Sequence, residues 1–329
     1  MLTLNKKLGY VPGMINMTKF MKEDKILMES FNEIPDSNNW KIIKLIHKGW
    51  SNDKKYYIKT AEEKELLLRI SDITQYEKKK KEFENLKLLT STDILVSRPI
   101  DFGICNGGKS VYSLLTWVNG EDAQIILPQL DIEEQYYLGV KAGIYLKQIH
   151  GIPAPKDLPN WSERFNRKID IKIDKCKDCP IKFKGAKRMI EYIEDNRFLL
   201  EDRLQCFQHG DYHVGNMIIT PEKKLGIIDF NRMDYGDPWE EFNRITFCVD
   251  TSPLFASGYI NGYFDDDVPD LFFRLMALYI VTNQISAVPW AIPFGEKEVN
   301  IMLKHAENIM KWYDDFKTYI PNWYVTNYV

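Results

Sequence analysis

The sequence predicts an α+β protein of two lobes, an antiparallel sheet followed by a mostly helical part. Three observations point there. At 329 residues the chain exceeds one average domain and suits two lobes sharing a cleft. Short β-prone runs separated by polar turns fill the stretch from Trp40 to Trp117, and beyond Val118 the apolar period becomes helical. With 44% hydrophobic and 13% aromatic residues, both lobes can fill cores. The divisions read as an extension over 1–38, a sheet lobe over 39–117 and a helical lobe over 118–329.

Residues 1–38 show no sustained period and include Pro12-Gly13 and Pro35-Asp36-Ser37-Asn38, marks of a loosely attached extension with room for one short helix. Strands are expected over 41–46, 55–59 and 65–70, where β-branched and other large apolar residues cluster between polar turns. Residues 76–90 read as a Lys- and Glu-rich helix with Leu86 and Leu89 on its core face, which Glu82 shares by spacing. The last two strands, 98–103 and 110–117, flank the turn Asn106-Gly107-Gly108.

In the helical part, Asp131 is placed to cap a helix over 132–150, with Gly151 just past its end. Asn160 starts another to about 176, and 186–200 is a third, their many cations reading as a solvated face. Asp237-Pro238-Trp239-Glu240 has a cap, a proline at the first position and a Glu three residues after the cap, a strong helix start. Ser252-Pro253 begins another, and 270–288 and 296–316 are long and amphipathic.

One stretch carries chemistry: Gln208-His209-Gly210-Asp211-Tyr212-His213-Val214-Gly215-Asn216, then Ile227-Ile228-Asp229-Phe230. Residues 216–220 and 224–229 are apolar runs around Pro221-Glu222-Lys223, a hairpin that would bring Asn216 and Asp229 to one end, beside the loop holding Asp211. An Asp, an Asn five residues later and a second Asp thirteen beyond suit phosphoryl transfer, which asks for positioning and charge neutralisation rather than covalent chemistry. Asp211 then accepts or orients the proton of an attacking hydroxyl, and Asn216 and Asp229 hold Mg²⁺ bridging ATP phosphates. Such hard-cation donors favour Mg²⁺ over a transition metal held by His209, Asp211 and His213.

HGDYHVGN followed by IIDF resembles the catalytic loop and metal motif of the aminoglycoside phosphotransferase and choline kinase-type family, small-molecule kinases with a protein-kinase-like fold. The resemblance implies several further roles. The turn from Lys48 to Lys54 would be the nucleotide-binding loop, with Gly49, Ser51 and Asn52 bringing backbone N–H groups to phosphate oxygens, although it holds a single glycine. Arg69 stands where the family places a phosphate-gripping Lys, a replacement that choline kinase-like members share, and its guanidinium fork differs in reach from an ammonium. Glu82 would pair with Arg69, Glu84 being the runner-up. Backbone groups of Thr116 and Val118 would bind adenine at the hinge, and His209 would brace the loop, while His213 serves structure as readily as function. No Ala-Pro-Glu follows Asp229, which leaves little room for the peptide platform of a protein kinase.

Composition narrows the partners. A formal charge of −3 gives no basic footprint for nucleic acid, and no run approaches the length of a membrane span, so a cytoplasmic protein without nucleic-acid or membrane partners is expected. The five cysteines are an odd, scattered set, and Cys176-Lys177-Asp178-Cys179 lacks a second pair and a nearby His, so incidental thiols are expected. Residues 229–270 hold ten Asp and Glu against two Arg and no Lys. That excess suits a cationic acceptor such as an aminoglycoside, with Glu240, Glu241 and Asp250 as its contacts. A metabolic kinase for an amino alcohol, sugar or macrolide is the enzymatic alternative, and a nucleotide-binding pseudokinase, given Arg69, the alternative of another class.

Overall fold

A computed structural model describes residues 31–47 and 53–326. The chain divides into two compact units, one running up to Lys80 and including Ile100–Thr116, the other made of Lys81–Pro99 and the chain from Trp117 onward.

The first unit is built on a five-stranded sheet of β1 (Trp40–Ile46), β2 (Lys54–Thr60), β3 (Glu65–Asp72), β5 (Pro99–Cys105) and β6 (Ser110–Thr116), in the order β1-β2-β3-β6-β5. β4 (Leu95–Val96) belongs to the second unit. The pairs β1/β2, β2/β3 and β3/β6 are antiparallel. Alternation along the strands turns Ile58, Leu66, Leu68, Ile70 and Leu114 into one core. Phe31 and Ile34 complete it, each 2% exposed, with the Phe31 ring 5.2 Å edge-on from Tyr56. This departs from the loose attachment expected of the extension. The sheet has an apolar face to cover, and its described end supplies the cover.

Helix α1 (Tyr76–Lys87) follows, and the unit boundary falls within it. The helical pattern expected to residue 90 closes as a 3₁₀ turn over Leu88–Ser91, where β-branched Thr90 bonds back to Lys87 O.

The second unit is mostly helical: α2 (Ala123–Ile126), α3 (Ile132–His150), α4 (Trp161–Asp178), α5 (Ala186–Asn196), α6 (Ile245–Thr251), α7 (Pro253–Phe264), α8 (Asp270–Ala291) and α9 (Glu296–Trp312). The caps are those the sequence marked. Asp131 accepts from Glu134 N at 2.8 Å, Asn160 from Ser162 N at 2.8 Å and Ser252 from Phe255 N at 3.0 Å. Asp237 caps as well, but Pro238–Arg244 forms a 3₁₀ helix rather than an α-helix. Helix α8 is long and apolar enough to span a membrane, yet its apolar window is 72% buried, with α4, α5 and α9 packed on it. It is the central core helix of this unit.

Small sheets hold the motif loops. β9 (Met217–Ile219) and β10 (Leu225–Ile227) form the expected hairpin, flanked by β4 and β7 (Glu121–Asp122) in the order β4-β10-β9-β7. β8 (Cys206–Gln208) pairs with β11 (Asp234–Gly236), bracketing residues 209–233.

Helices α3 and α7 meet backbone to backbone. Gly139 and Gly143 on α3, and Gly258 and Gly262 on α7, are each four residues apart and so lie on one helical face. A Cβ would meet Phe255 O at 2.1 Å from Gly139, Tyr259 O at 2.2 Å from Gly143, and Val140 O at 2.2 Å from Gly262. The obstacles are main chain and cannot swing away. Gly143→Ala or Gly262→Ala is expected to cost about 2–3 kcal/mol or more, lowering the melting temperature by about 4–10 °C. Thermal unfolding followed by circular dichroism checks this, and an unchanged midpoint would show that the helices tolerate separation.

Candidate functional site

The stretch expected to be catalytic leaves β8 at Gln208 and turns at Gly210, whose φ of +82° and whose Cβ position, 1.9 Å from Arg232 O, admit only glycine. The turn leaves two backbone N–H groups facing inward. Glu241, 2% exposed, accepts both: His209 N donates to Oε2 at 2.7 Å and Gly210 N to Oε1 at 2.6 Å. His150 Nε2 stands 3.5 Å from the same carboxylate.

The His209 ring is fully buried. Its Nδ1 accepts from Asp211 N at 3.1 Å, which leaves Nε2 to donate to Ile228 O at 2.9 Å. Burial outweighs the nearby carboxylates and pushes its pKa down, so the ring is a neutral, fixed tautomer. Tyr212 ties the loop to α3 through Ala142 O at 2.7 Å, and Asn216 Nδ2 donates back to Asp211 O at 2.9 Å.

At the hairpin, Met217 pairs with Ile227 and Ile228 N donates to Asn216 O at 3.0 Å. Asn216 and Asp229 therefore flank one end of the two strands. Asp229 adopts φ 65°, a left-handed conformation that costs a non-glycine residue about 1 kcal/mol or more. With Nδ2 committed to Asp211 O, the remaining donor of the Asn216 side chain is its amide oxygen, and Asp229 adds carboxylate oxygens. This hard-oxygen pair fits Mg²⁺, which takes few protein ligands and fills its shell with water and phosphate oxygens.

The Asp211 carboxylate is 15% exposed and faces two guanidiniums and an imidazole: Arg244 Nε at 3.0 Å, Arg232 Nη1 at 3.7 Å and His213 Nε2 at 3.5 Å. The Arg244 contact is poorly aligned, so Asp211 Oδ1 and Arg244 Nε are both buried without a hydrogen-bond partner. Burial alone would push the carboxyl up, but His213, Arg244 and Arg232 prevail and hold it well below the usual carboxylate range. Arg244 gave no sequence signal, because its contact joins residues 33 positions apart.

In the sheet unit, Gly49, Ser51 and Asn52 lie outside the described residues. Arg69, opposite Ser113 in β6, sends Nε and Nη2 to Asp53 Oδ2 at 3.1 and 2.6 Å. Lys79 Nζ reaches the same oxygen at 2.9 Å, and Ser71 Oγ donates to Oδ1 at 2.8 Å. Burial raises the Asp53 pKa, but Arg69 and Lys79 outweigh it and hold the group down to about 2. Asp53 and Lys79 are members of this cluster that the sequence reading missed. Thr116 ends β6 opposite Leu66. In the other unit, Glu82 lies on α1, Glu84 bonds to Lys87 at 2.8 Å, and Val118 is buried against Gly226.

The acidic stretch does not present its charge as the sequence suggested. Glu240 pairs with Lys168 at 3.1 Å, Asp250 with His305 at 2.7 Å and Asp265 with Lys147 at 2.6 Å. Glu241 is spent on the loop backbone. Asp237, fully buried, takes Arg203 at 2.7 and 3.1 Å and the Tyr279 hydroxyl at 2.6 Å. Asp250 also lines a surface cavity of about 490 Å³ whose walls include Lys297 and Lys304. In space, Glu240, Asp265 and Asp237 are thus paired with Lys or Arg, Asp250 meets His305, and Glu241 is held by backbone N–H groups.

The sequence matches the model of the phosphotransferase enzyme family over residues 42–272. No curated protein matches it. Among solved structures it is similar to the gentamicin complex of APH(2'')-IIa, at 16% identity and a TM-score of 0.60, over 89% of this chain and 97% of that one. It is also similar to ADP-bound aminoglycoside phosphotransferase APH(2'')-Ib, at 17% identity and TM-score 0.60, over 86% and 98%. The GDP complex of aminoglycoside 2'-phosphotransferase-IIIa matches at 14% identity and TM-score 0.65, over 88% and 97%. At such identities the likeness shows the fold, which is protein-kinase-like. The family match spans well over half of the chain, and the chain accordingly belongs to the phosphotransferase enzyme family.

Proposed function

We propose that the enzyme transfers the γ-phosphate of ATP to a hydroxyl of a small molecule, in the cytoplasm. The observation that carries this reading is the meeting of Asp211, Asn216 and Asp229 around one loop and one hairpin end. Asn216 and Asp229 would hold Mg²⁺, which would supply charge neutralisation at the transferring phosphate. The protein's own part is positioning. Glu241 and His209 hold the loop, and the Asp211 carboxylate accepts a hydrogen bond from the acceptor hydroxyl and aims its oxygen in line. The acceptor oxygen bonds to phosphorus as the bond to the ADP oxygen breaks, and the hydroxyl proton passes through Asp211 to solvent. A carboxylate held so acidic is a weak base, so its contribution is mostly orientation, with proton transfer late, as a loose phosphoryl transition state permits.

Arg69 is assigned to nucleotide phosphate, with Glu82, Thr116, Val118 and the loop of Gly49, Ser51 and Asn52 as further nucleotide-side residues. The structural neighbours, by their descriptions, hold ADP and GDP as well as gentamicin. That likeness supports nucleoside triphosphate use and a small polar acceptor, for which we propose an aminoglycoside-like compound.

Asp211→Asn should lower kcat by about two to four orders of magnitude with little change in nucleotide affinity, measured as acceptor-dependent ADP release. Wild-type turnover in that variant would remove Asp211 from the reaction. Asn216→Ala and Asp229→Ala should instead raise the Mg²⁺ concentration needed for half-maximal rate. Arg69→Ala should weaken binding of a non-hydrolysable ATP analogue more than Arg69→Lys, because Lys keeps the charge and loses the fork. Equal, wild-type affinity for both would make Arg69 a structural residue rather than a nucleotide ligand.

A further inference from the structure

The sheet unit carries a buried ion cluster on the face of β3 turned away from its core. Leu68 and Ile70 join that core, so strand alternation sends Arg69 and Ser71 to the opposite face. Asp53 meets both there. Arg69 Nε and Nη2 donate to its Oδ2 at 3.1 and 2.6 Å, and Ser71 Oγ to its Oδ1 at 2.8 Å. Lys79, in the first turn of α1, adds its Nζ to Oδ2 at 2.9 Å. One carboxylate oxygen therefore receives donors from two cations, and the side chains of Asp53, Lys79 and Arg69 are only 7, 9 and 11% exposed. Stability alone does not ask for such an arrangement, because desolvating the charges offsets much of their attraction and apolar side chains of similar size often serve as well.

The cations are the fixed part of the cluster. Arg69 stands in a central strand, paired with Lys55 of β2 on one side and Ser113 of β6 on the other, and Lys79 belongs to a helix. Asp53 precedes β2, and the ladder to β3 begins only with Lys54 opposite Ile70. Its carboxylate can therefore leave without breaking a strand pairing. It would leave behind a guanidinium fork and an ammonium converging on one oxygen position, with a hydroxyl beside them. A phosphate oxygen accepts from such donors as a carboxylate oxygen does, the fork supplying two N–H bonds and the ammonium a point charge. Asp53 also belongs to the stretch 48–54 expected to meet nucleotide phosphate.

We infer that Lys79 is a second nucleotide-phosphate ligand beside Arg69, and that Asp53 holds the place of the phosphate until the nucleotide displaces it. This rests on the phosphotransfer reading above, which assigns Arg69 to nucleotide phosphate and gives Lys79 and Asp53 no part. Asp53 is then a built-in competitor. It keeps two like charges together while no nucleotide is bound, and it lowers the net affinity by the work of displacing it. Only a ligand that carries phosphate feels either residue.

The test is calorimetric titration of the full chain with the β,γ-imido analogue of ATP and Mg²⁺, and with adenosine as the ligand that lacks phosphate. Lys79→Gln should raise Kd for the analogue by about ten-fold or more and leave adenosine binding unchanged, and Lys79→Arg should restore most of the loss. Asp53→Asn keeps the size of the side chain and drops its charge, and it should bind the analogue about three- to ten-fold more tightly, again without effect on adenosine. Lys79→Met and Asp53→Ser are the second variants if either amide fails to fold. Unchanged analogue affinity on loss of the Lys79 charge, or a loss shared equally by adenosine, would overturn the role of Lys79. Unchanged or weaker analogue binding on loss of the Asp53 charge would make Asp53 a structural brace and overturn the displacement. Both results would leave phosphotransfer standing, whereas a wild-type chain that binds no analogue would overturn that reading and this inference with it.

Discussion

A buried carboxylate on two backbone N–H groups sets the geometry of this enzyme. Where the chain leaves β8, the turn at Gly210 points the amides of His209 and Gly210 away from solvent and from any strand, and each would cost about 1–3 kcal/mol unpaired. Glu241 takes both. Its own place is fixed from the next layer out, because the 3₁₀ helix that carries it begins at Asp237, clamped by Arg203 and by the Tyr279 hydroxyl of the core helix α8. The position of Asp211 is therefore inherited from the packing of the whole helical unit. The glycine faces of α3 and α7 contribute to that packing, since α3 also receives the Tyr212 hydroxyl at Ala142 O.

The same network explains the charge pattern around Asp211. Spending Glu241 on backbone, and Asp237 on Arg203, removes two acids from the surface that the sequence seemed to offer. What remains against the Asp211 carboxylate is Arg244, Arg232 and His213, which together hold its pKa down.

Much of this was legible in the sequence. The hairpin between Asn216 and Asp229 showed itself because two apolar runs around Pro221 leave few alternatives, and the helix starts at Asp131, Asn160 and Ser252 were readable because capping is local chemistry. The brace was not legible. Glu241 looked like one acid among ten, and only the fold brings it under a loop 31 residues earlier. Asp53 was likewise hidden, since its link to Arg69 and Lys79 joins a loop, a strand and a helix with no periodic trace. Two-residue strands such as β4 and β7 are too short to express a period, and Phe31 and Ile34 read as extension because the sheet face they cover exists only in three dimensions.

Glu241→Gln tests the account most directly, because the amide keeps the size of the side chain and loses one of the two acceptor oxygens. The variant should fold, with circular dichroism like that of the wild type, and should bind a non-hydrolysable ATP analogue normally. Its acceptor-dependent kcat should fall by about ten-fold or more, the consequence of one buried N–H left without its partner and a displaced Asp211. Wild-type kcat in a folded Glu241→Gln enzyme would contradict the claim that this carboxylate positions the loop of Asp211 for phosphotransfer.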